Sequence, residues 1–561
     1  MALPLIASAV LAVLFFGYRL YGGFIARQYN LSPEAVTPAH RVNDGVDFVP
    51  TRPFYLLGQH FSAIAAAGPI AGPILACQQF GWLPALLWIS LGVVFIGAVH
   101  DLSTLVASVR HGAKSIAEVV KTHLGPRAGV AMLAFIWVAL VYVIVAFADV
   151  TASTFVAQDP DLEGLTFTFH QGGAVAMASV LYLTLAVVMG LSERFLEPPL
   201  WLQTILFVPL TLVAVWAGTR LSGVFVLDAK TWAVLILAYC FVASLVPVWS
   251  LLQPRGYLGG FVLYLALAIG VVGIFFGGFP VAQPAFKGFA VPGGAGSLFP
   301  FLFVTIACGA CSGFHGLVCS GTTSKQISSE PHCKPVGYGA MLLEGFVAVI
   351  ALATVMIASQ GELAGKAPGT VYGIGLGRFL AVVIGPQYLP FAITFGAMAF
   401  STFVFDTLDV STRLGRYILQ ELFGWQGRMA AMGATLLTVG VPLAFVLLAG
   451  SGAWRSFWTL FGTSNQLLAA LSLVGITVWL KKTGRRYWYT LWPGAFVSVV
   501  TLSSLCLQIR DGFFAGPVSA VQRVNGAVSL VLLVLAGSLM GFGVRAMRQK
   551  EGPKVLSGAS A

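Results

Sequence analysis

Apolar runs of roughly 17–25 residues, a little longer in places, recur along the chain with short polar connections, and that is the length a helix needs to cross hydrocarbon. They fall at 2–18, 54–80, 83–109, 128–156, 172–191, 199–217, 232–252, 258–278, 298–322, 336–358, 388–412, 430–450, 456–480, 488–507 and 526–546. The pattern predicts an all-α polytopic membrane protein with about 15 transmembrane helices. Two runs break the pattern. The stretch 298–325 begins as a membrane-grade apolar run and then carries Gly309, Gly313, Gly316 and Gly321, a Ser/Thr series from Ser312 to Ser324, and His315. The stretch 54–80 contains Gly68-Pro69 and Gly72-Pro73, whose prolines lack amide donors and are expected to open the helix. In hydrocarbon an irregular backbone survives only inside protein or beside a cavity, and paired interrupted spans are where transporters bind. Free amides and half-helix dipoles near 68–73 and 309–316 would meet a substrate carboxylate. The candidate substrate-binding positions are therefore Gly68, Pro69, Gly72, Pro73, Gly309, Ser312, Gly313, His315, Ser320 and Thr322.

Composition narrows the class. With 58% hydrophobic and 9% charged residues the chain has too little polar surface to cover a soluble globule. A net charge of +11 would point to nucleic acid in a soluble protein, but here the Lys and Arg sit between apolar runs. The positive-inside pattern places 19–52, 110–127, Arg255, Lys325 and Lys334, 413–428, 481–486 and the tail from Arg545 in the cytoplasm, and the acidic loop 158–164 outside. The C-terminus is then cytoplasmic. Seven cysteines, an odd number mostly inside spans, provide no disulfide framework. The first run has no basic residue before it and no A-x-A site after it, and reads as a retained span.

This parity leaves 370–386 as a surface helix on the outer face, with 112–125 as its counterpart on the inner face. The chain then divides into an N-terminal helix and linker (1–53), a first five-helix repeat (54–217), an inserted hairpin and outer loop (218–297), an inverted second repeat (298–480) and two C-terminal helices with a tail (481–561). Asp149-Val-Thr-Ala-Ser and Asp409-Val-Ser-Thr-Arg occupy corresponding places in the two repeats.

Ionisable residues inside spans are costly, so His60, His100, Asp101, Asp149, His315, Glu344, Asp406 and Asp409 are candidates for function. His100-Asp101, close to the inner end of its span, reads as satisfied by interhelical hydrogen bonds. His315 lies in a break, and an imidazole titrates near physiological pH, which suits substrate or proton handling. Asp406 and Asp409 are one turn apart with Ser411 and Thr412 close behind; hard oxygens suit a small cation, so these four and Asp149 are the candidate ion-coupling residues. The competing role for the two aspartates is to anchor Arg413 and Arg416. Cys308, Cys311, His315 and Cys319 fall within an arc of about 80° on a helix. Cys311 and His315 at i, i+4, joined by Cys319 if the helix unwinds, form a candidate zinc set, the alternative being plain packing.

Several motifs resemble the carbon starvation protein A family of bacterial inner-membrane transporters: Gly58-Gln-His-Phe with Gly68-Pro-x-x-Gly-Pro, His100-Asp101, Pro247-Val-Trp, Phe301-x-Phe-x-Thr-Ile-Ala-Cys-Gly-Ala-x-Ser-Gly-Phe-His315, Ser320-Gly-Thr-Thr-x-Lys325, Gly337-Tyr-Gly-Ala-Met-Leu and Phe461-Gly-x-Ser-Asn-Gln. The resemblance implies a LeuT-type 5+5 inverted repeat with discontinuous first and sixth core helices plus extra helices. It also implies uptake of peptides or of small carboxylates such as pyruvate, and a sodium site where the eighth core span faces the first break. Two departures stand out: the loop 359–387 is short, and Asp409-Val-Ser-Thr-Arg413 replaces the family's Asp-Ala-Gly-Thr-Arg. The expected function is secondary active import across the cytoplasmic membrane by alternating access, driven by H+ or Na+ because no nucleotide-binding motif is present. Membrane lipid and the substrate are the expected partners, with neither nucleic acid nor an obligate protein partner. The alternative is a membrane sensor that binds a nutrient without moving it, against which stands the lack of a sizeable domain after the last run. Enzymatic chemistry is not expected, since no nucleophile has a recognisable base.

Overall fold

The computed structural model describes residues 2–45, 47–158, 169–291, 296–449, 454–516 and 518–549. Their regular structure is helical, with only isolated bridges joining Thr51 to Ile327 and Ala290 to Ser297. Among the described residues twelve helices are long and apolar enough to cross a membrane, or thirteen if the bent pair Pro53–Ile64 and Gly68–Phe80 counts as one span. The remaining two runs of the sequence pattern are helical but short. Ala229–Leu245 has 17 residues, and 298–322 divides into Leu298–Thr305 and Gly313–Gly321. Length alone thus supports a smaller number than the hydrophobic runs did. The expected outer loop at 158–164 lies largely outside the described residues, as does the tail from 550.

Burial separates a core from a shell. The apolar window of Trp454–Lys482 is 94% buried, and those of Glu330–Met356 and Pro386–Phe423 are 83% buried. For Leu200–Arg220 and Ala520–Arg548 the figure is 28%, so these present most of their apolar surface outward, as lipid-facing helices do. The two interrupted spans belong to the core and cross one another: Leu298–Thr305 packs on Gly68–Phe80, and Gly313–Gly321 packs on Pro53–Ile64, Ala98–Arg110 and Trp454–Lys482.

The first break precedes the Gly-Pro steps that were expected to make it. Pro53–Ile64 ends at Ala65, the chain bends by 48°, and Gly68 and Pro69 then open the next helix. Proline is tolerated in a first turn, where amides have no helical partner anyway. Pro73 lies inside the continuous helix Gly68–Phe80. The two glycines serve close approach. A Cβ on Gly68 would lie 2.4 Å from Cys308 Sγ, and one on Gly72 would lie 2.6 Å from the Thr305 carbonyl oxygen.

Helices form at both stretches expected to lie on the surface, and Pro368–Ile384 is largely buried. Ile116–Leu124 starts at Ser115, whose hydroxyl accepts from the Glu118 amide at 3.3 Å, and its Ile116, Ala117, Val119 and Val120 are buried. Pro368–Ile384 packs along Leu389–Phe423, with Gly373 so close to Ala397 that a Cβ would sit 2.7 Å away.

Candidate functional site

Unwinding at 306–312 frees backbone groups that the interior must satisfy. The Phe303 carbonyl accepts from Trp88 Nε1 at 3.2 Å and Gln466 Nε2 at 2.8 Å; Trp88 also donates to Ile306 O at 3.2 Å, and Trp458 Nε1 to Thr305 O at 3.1 Å. On the far side of the break the Phe314 amide donates to Asn465 Oδ1 at 2.8 Å, while Asn465 Nδ2 donates to Ser312 Oγ at 3.0 Å and Cys308 Sγ at 3.3 Å. The Phe461-Gly-x-Ser-Asn-Gln motif is thereby explained: it supplies side chains that replace the missing helical bonds. A Cβ on Gly313 would be 2.4 Å from the Asn465 carbonyl oxygen, and one on Gly309 2.8 Å from Ala348 Cβ, so both glycines are contact points between helices. Ser320 accepts from the Ile116 amide at 3.1 Å and holds the helix Ile116–Leu124, and Thr322 bonds back to Val318 O. Neither reaches the break, and the expected open cradle of amides at 313 is closed by Asn465.

His315 stands one turn into Gly313–Gly321 and faces two carboxylates. Its Nδ1 is 2.9 Å from Asp101 Oδ2, and its Nε2 is 3.1 Å from Glu344 Oε2, the latter a close charge contact without hydrogen-bond alignment. The other oxygen of Asp101 meets His100 Nδ1 at 2.7 Å. Nearby, His60 Nδ1 is 2.8 Å from Thr323 Oγ1, and the Cys319 thiol lies 3.6 Å from the Asp101 carbonyl oxygen and 3.8 Å from His60 Nε2. Asp101 makes a bond between helices, to His315, of the kind read from the sequence for His100-Asp101, while His100 bonds to Asp101 itself. Asp101 joins the Ala98–Arg110 helix to the second broken span, and Glu344 joins that span to Ala340–Met356.

The zinc set expected on Cys311, His315 and Cys319 does not assemble. Both ring nitrogens of His315 face carboxylates, Nδ1 that of Asp101 and Nε2 that of Glu344, and Cys319 is turned toward His60 and the Asp101 main chain. Among the described residues no three His, Cys, Asp or Glu side chains are placed to hold a metal ion.

A second cluster lies across the first break. Arg255, 1% exposed, sends Nη2 to Asp406 Oδ1 at 2.7 Å and places Nε 3.0 Å from Asp409 Oδ2. Tyr239 donates to the same Asp409 oxygen at 2.8 Å, and Tyr182 donates to the Arg255 carbonyl at 2.7 Å. The space expected to take a small cation is thus filled by a guanidinium. Thr412 bonds back to Leu408 O at 2.7 Å, Ser411 Oγ is buried without a partner, and Asp149 lies apart at the Trp454 main chain. Arg413 and Arg416 are not anchored by Asp406 and Asp409 either: they donate to the carbonyls of Ala243, Ser244 and Val246, at the negative end of Ala229–Leu245. Arg255 itself was counted from the sequence among the cytoplasmic loop charges. It is a buried residue of the core, the fourth residue of Leu252–Phe276.

Between this cluster and the unwound residues Ala65 and Ala66 is a small cleft with a cavity volume of about 10 Å³, bordered also by Ser62, Gly256, Arg255 and Asp406. The arrangement offers a solute both a guanidinium and a carboxylate.

The model of the carbon starvation protein CstA family matches residues 1–373 and 361–504. The chain belongs to that family. Over 94% of its length it is 34% identical to the peptide transporter CstA of Bacillus subtilis, of which 94% is covered. It is 35% identical to the peptide transporter CstA of Campylobacter jejuni, covering 95% of this chain and 83% of that one. Against the pyruvate/proton symporter BtsT of Escherichia coli the identity is 30%, over 91% of this chain and 83% of that one. Among solved structures, that of MhsT in complex with L-phenylalanine overlaps at a TM-score of 0.44 and 12% identity, covering 86% of this chain and 98% of that one. A CstA-family protein with these helices is a multi-pass inner-membrane transporter and not an enzyme.

Proposed function

We propose that the protein imports a small carboxylate such as pyruvate, or a short peptide, across the bacterial cytoplasmic membrane, with proton entry as the driving force. The carrying observation is the crossing of two broken spans in the buried core, with a guanidinium–carboxylate cluster and a cleft beside the first break. A permanent cation sits where a sodium ion was expected, so the titratable carboxylates around it favour H+ over Na+ as the coupling ion. The two sets of five core helices, inverted and each carrying a surface helix between its second and third members, would rock about this midplane region in alternating access, with the C-terminus in the cytoplasm.

The sealed His315 cluster acts as a clasp, tying the second broken span to its neighbours so that they travel as one body. Purified protein in liposomes provides the test. Counterflow of labelled pyruvate or of di- and tripeptides, with accumulation on an imposed proton gradient, is expected. Binding without counterflow of any of these would make the protein a sensor, and accumulation driven only by sodium would overturn the proton assignment.

A further inference from the structure

Three features of the Arg255 cluster bear on what enters the cleft. First, the guanidinium has donors to spare. A planar fork of five N–H groups is matched to carboxylate geometry, yet Nε, although 3.0 Å from Asp409 Oδ2, has no aligned partner. Second, its two carboxylates are held unequally. The Asp409 side chain is 0% exposed and clasped by Tyr239, whereas that of Asp406 is 31% exposed and forms part of the cleft wall. Third, the cleft is small. Its cavity volume of about 10 Å³ is close to the least that holds one water, so a solute can enter only as the Asp406 side chain gives way. Leu263 and Phe403 add an apolar wall suited to a methyl or short alkyl group.

We infer that Arg255 is the binding group for the carboxylate of a small monocarboxylic acid, and that Asp406 is the proton-accepting group that competes with the substrate for it. The inference rests on the transporter reading above and names that site's ligand and its coupling. With Asp406 ionised, the Nη2 donor is engaged and an arriving carboxylate meets two negative charges around a single positive one. A proton from water that binds the Asp406 carboxylate removes one of those charges and dissolves the ion pair. Nη2 then turns to the substrate, while the buried Asp409 keeps Arg255 in place. Release reverses the exchange: the substrate leaves, Asp406 gives its proton to water and closes on Arg255 again. One carboxylate and one proton therefore bind together, and each raises the affinity for the other by the same factor.

The groups that set this balance are Arg255 from Leu252–Phe276, Asp409 and Arg413 from Asp406's own helix, Tyr239 and Cys240 from Ala229–Leu245, and Tyr182 from Gln171–Leu196. The first broken span contributes Ser62, Ala65 and Ala66 to the cleft, none of which ionises.

The full chain in detergent and in liposomes, with pyruvate as probe and methyl pyruvate as its uncharged control, tests the assignment. Wild-type protein should take up one proton for each pyruvate bound in weakly buffered solution, and its affinity should fall as pH rises, by up to about tenfold per pH unit. Methyl pyruvate should bind at least about tenfold more weakly. In Asp406→Asn the linked proton should disappear and the affinity should vary less than about twofold with pH, because the amide cannot titrate. Arg255→Lys should weaken binding by about 10- to 100-fold.

Where Arg255→Lys lowers the yield of folded protein, Gly256→Leu decides. A Cβ there meets nothing within 4 Å, so the longer side chain can fill the cleft, leave the ion pairs intact and abolish binding. Proton uptake unchanged in Asp406→Asn, full affinity in Gly256→Leu, or a wild type that binds only peptides would overturn the assignment. Pyruvate that binds with its proton but shows no counterflow would uphold the site while removing the transporter reading. Counterflow with variants that behave as wild type would do the reverse.

Discussion

Around His315 every ionisable partner is sealed, with His100, Asp101 and Glu344 at 0% exposure and His315 at 1%; around Arg255 the equivalent enclosure has a gap, the 31% exposed side chain of Asp406. Both clusters sit beside a broken span and both set basic side chains against two carboxylates. They differ in what their partners can do. The His315 group joins three helices and adjoins the packed residues of the second break, where Asn465, Trp88 and Trp458 have already taken up the freed backbone groups. The Arg255 group borders empty space next to Ala65 and Ala66. A broken span therefore does not by itself make a binding site. On the proposed reading it makes one where a cleft remains beside the break, as it does at Ala65 and Ala66.

The largest effect should come from removing the cation of the open cluster. Arg255→Met leaves Asp406 and the fully buried Asp409 without a counter-charge, and breaking a buried pair in this way costs about 3–5 kcal/mol. Melting in detergent should fall accordingly, and Asp406→Asn with Asp409→Asn in the same chain should restore most of it without restoring transport. Stability untouched by Arg255→Met would mean that the carboxylates are already neutral, and the competition between Asp406 and substrate would lose its basis.

For the sealed cluster the expected loss is smaller. His315→Gln keeps a side-chain N–H for Asp101 but gives up the imidazole between two carboxylates, worth about 1–3 kcal/mol. Its effect on transport should fall on the maximal rate and not on KM, because a clasp governs the movement of helices while leaving substrate contacts alone. Initial rates in liposomes make the distinction. A raised KM at an unchanged rate would place His315 in contact with substrate, the role its position in the Gly/Ser-rich break had implied.

How much of this was legible in the chain depended on the range of the interactions. The apolar runs announce the helices because hydropathy is local, and Gly68, Gly72, Gly309 and Gly313 do mark the two broken spans. Their function was misjudged for a physical reason: glycine permits both an irregular backbone and the close passage of another helix, and only the Cys308, Thr305, Ala348 and Asn465 atoms lying against them show that passage is what they serve. Arg255 was illegible. It follows a run, as loop arginines do, and its carboxylate lies 151 residues further on. Asp406 and Asp409 were singled out correctly as costly, but whether such a pair draws in a cation from solution or from another helix is decided by tertiary contact alone. The Cys/His arc failed in the opposite way. It assumed a helix through 308–319, and the structure unwinds 306–312 and commits His315 to Asp101 and Glu344.

A third set of imidazoles, outside the membrane-spanning segments, sharpens the contrast between a ring set against carboxylates and one that has none, and here the expected effect is smallest. His111, just beyond Trp82–Arg110, has Nδ1 2.6 Å from Ala107 O and Nε2 2.7 Å from His123 Nε2. Nδ1 therefore carries the hydrogen, and Nε2 accepts from His123, a bond that exists only while His111 is neutral. Burial disfavours the charged form of both rings, and Lys114 near His111 and Lys482 near His123 add to it. His123 is lowered to about 4, by burial first and then by His111 and Lys482. A histidine whose folded pKa lies below the unfolded value of about 6.5 contributes stability in full above that value, and the contribution is lost as pH falls toward the folded pKa, because the unfolded chain then binds more protons. The helix Ile116–Leu124, which carries His123, should accordingly loosen on acidification. Hydrogen exchange at the Val119 and Val120 amides, corrected for intrinsic rates, should be faster at about pH 5 than at about pH 7.5 in the wild type. His123→Gln, which keeps a donor for His111 but cannot itself take up a proton, should reduce that difference. An equal pH response in the variant would assign the loosening to another group and leave the histidine pair as packing between the surface helix and the end of Trp454–Lys482.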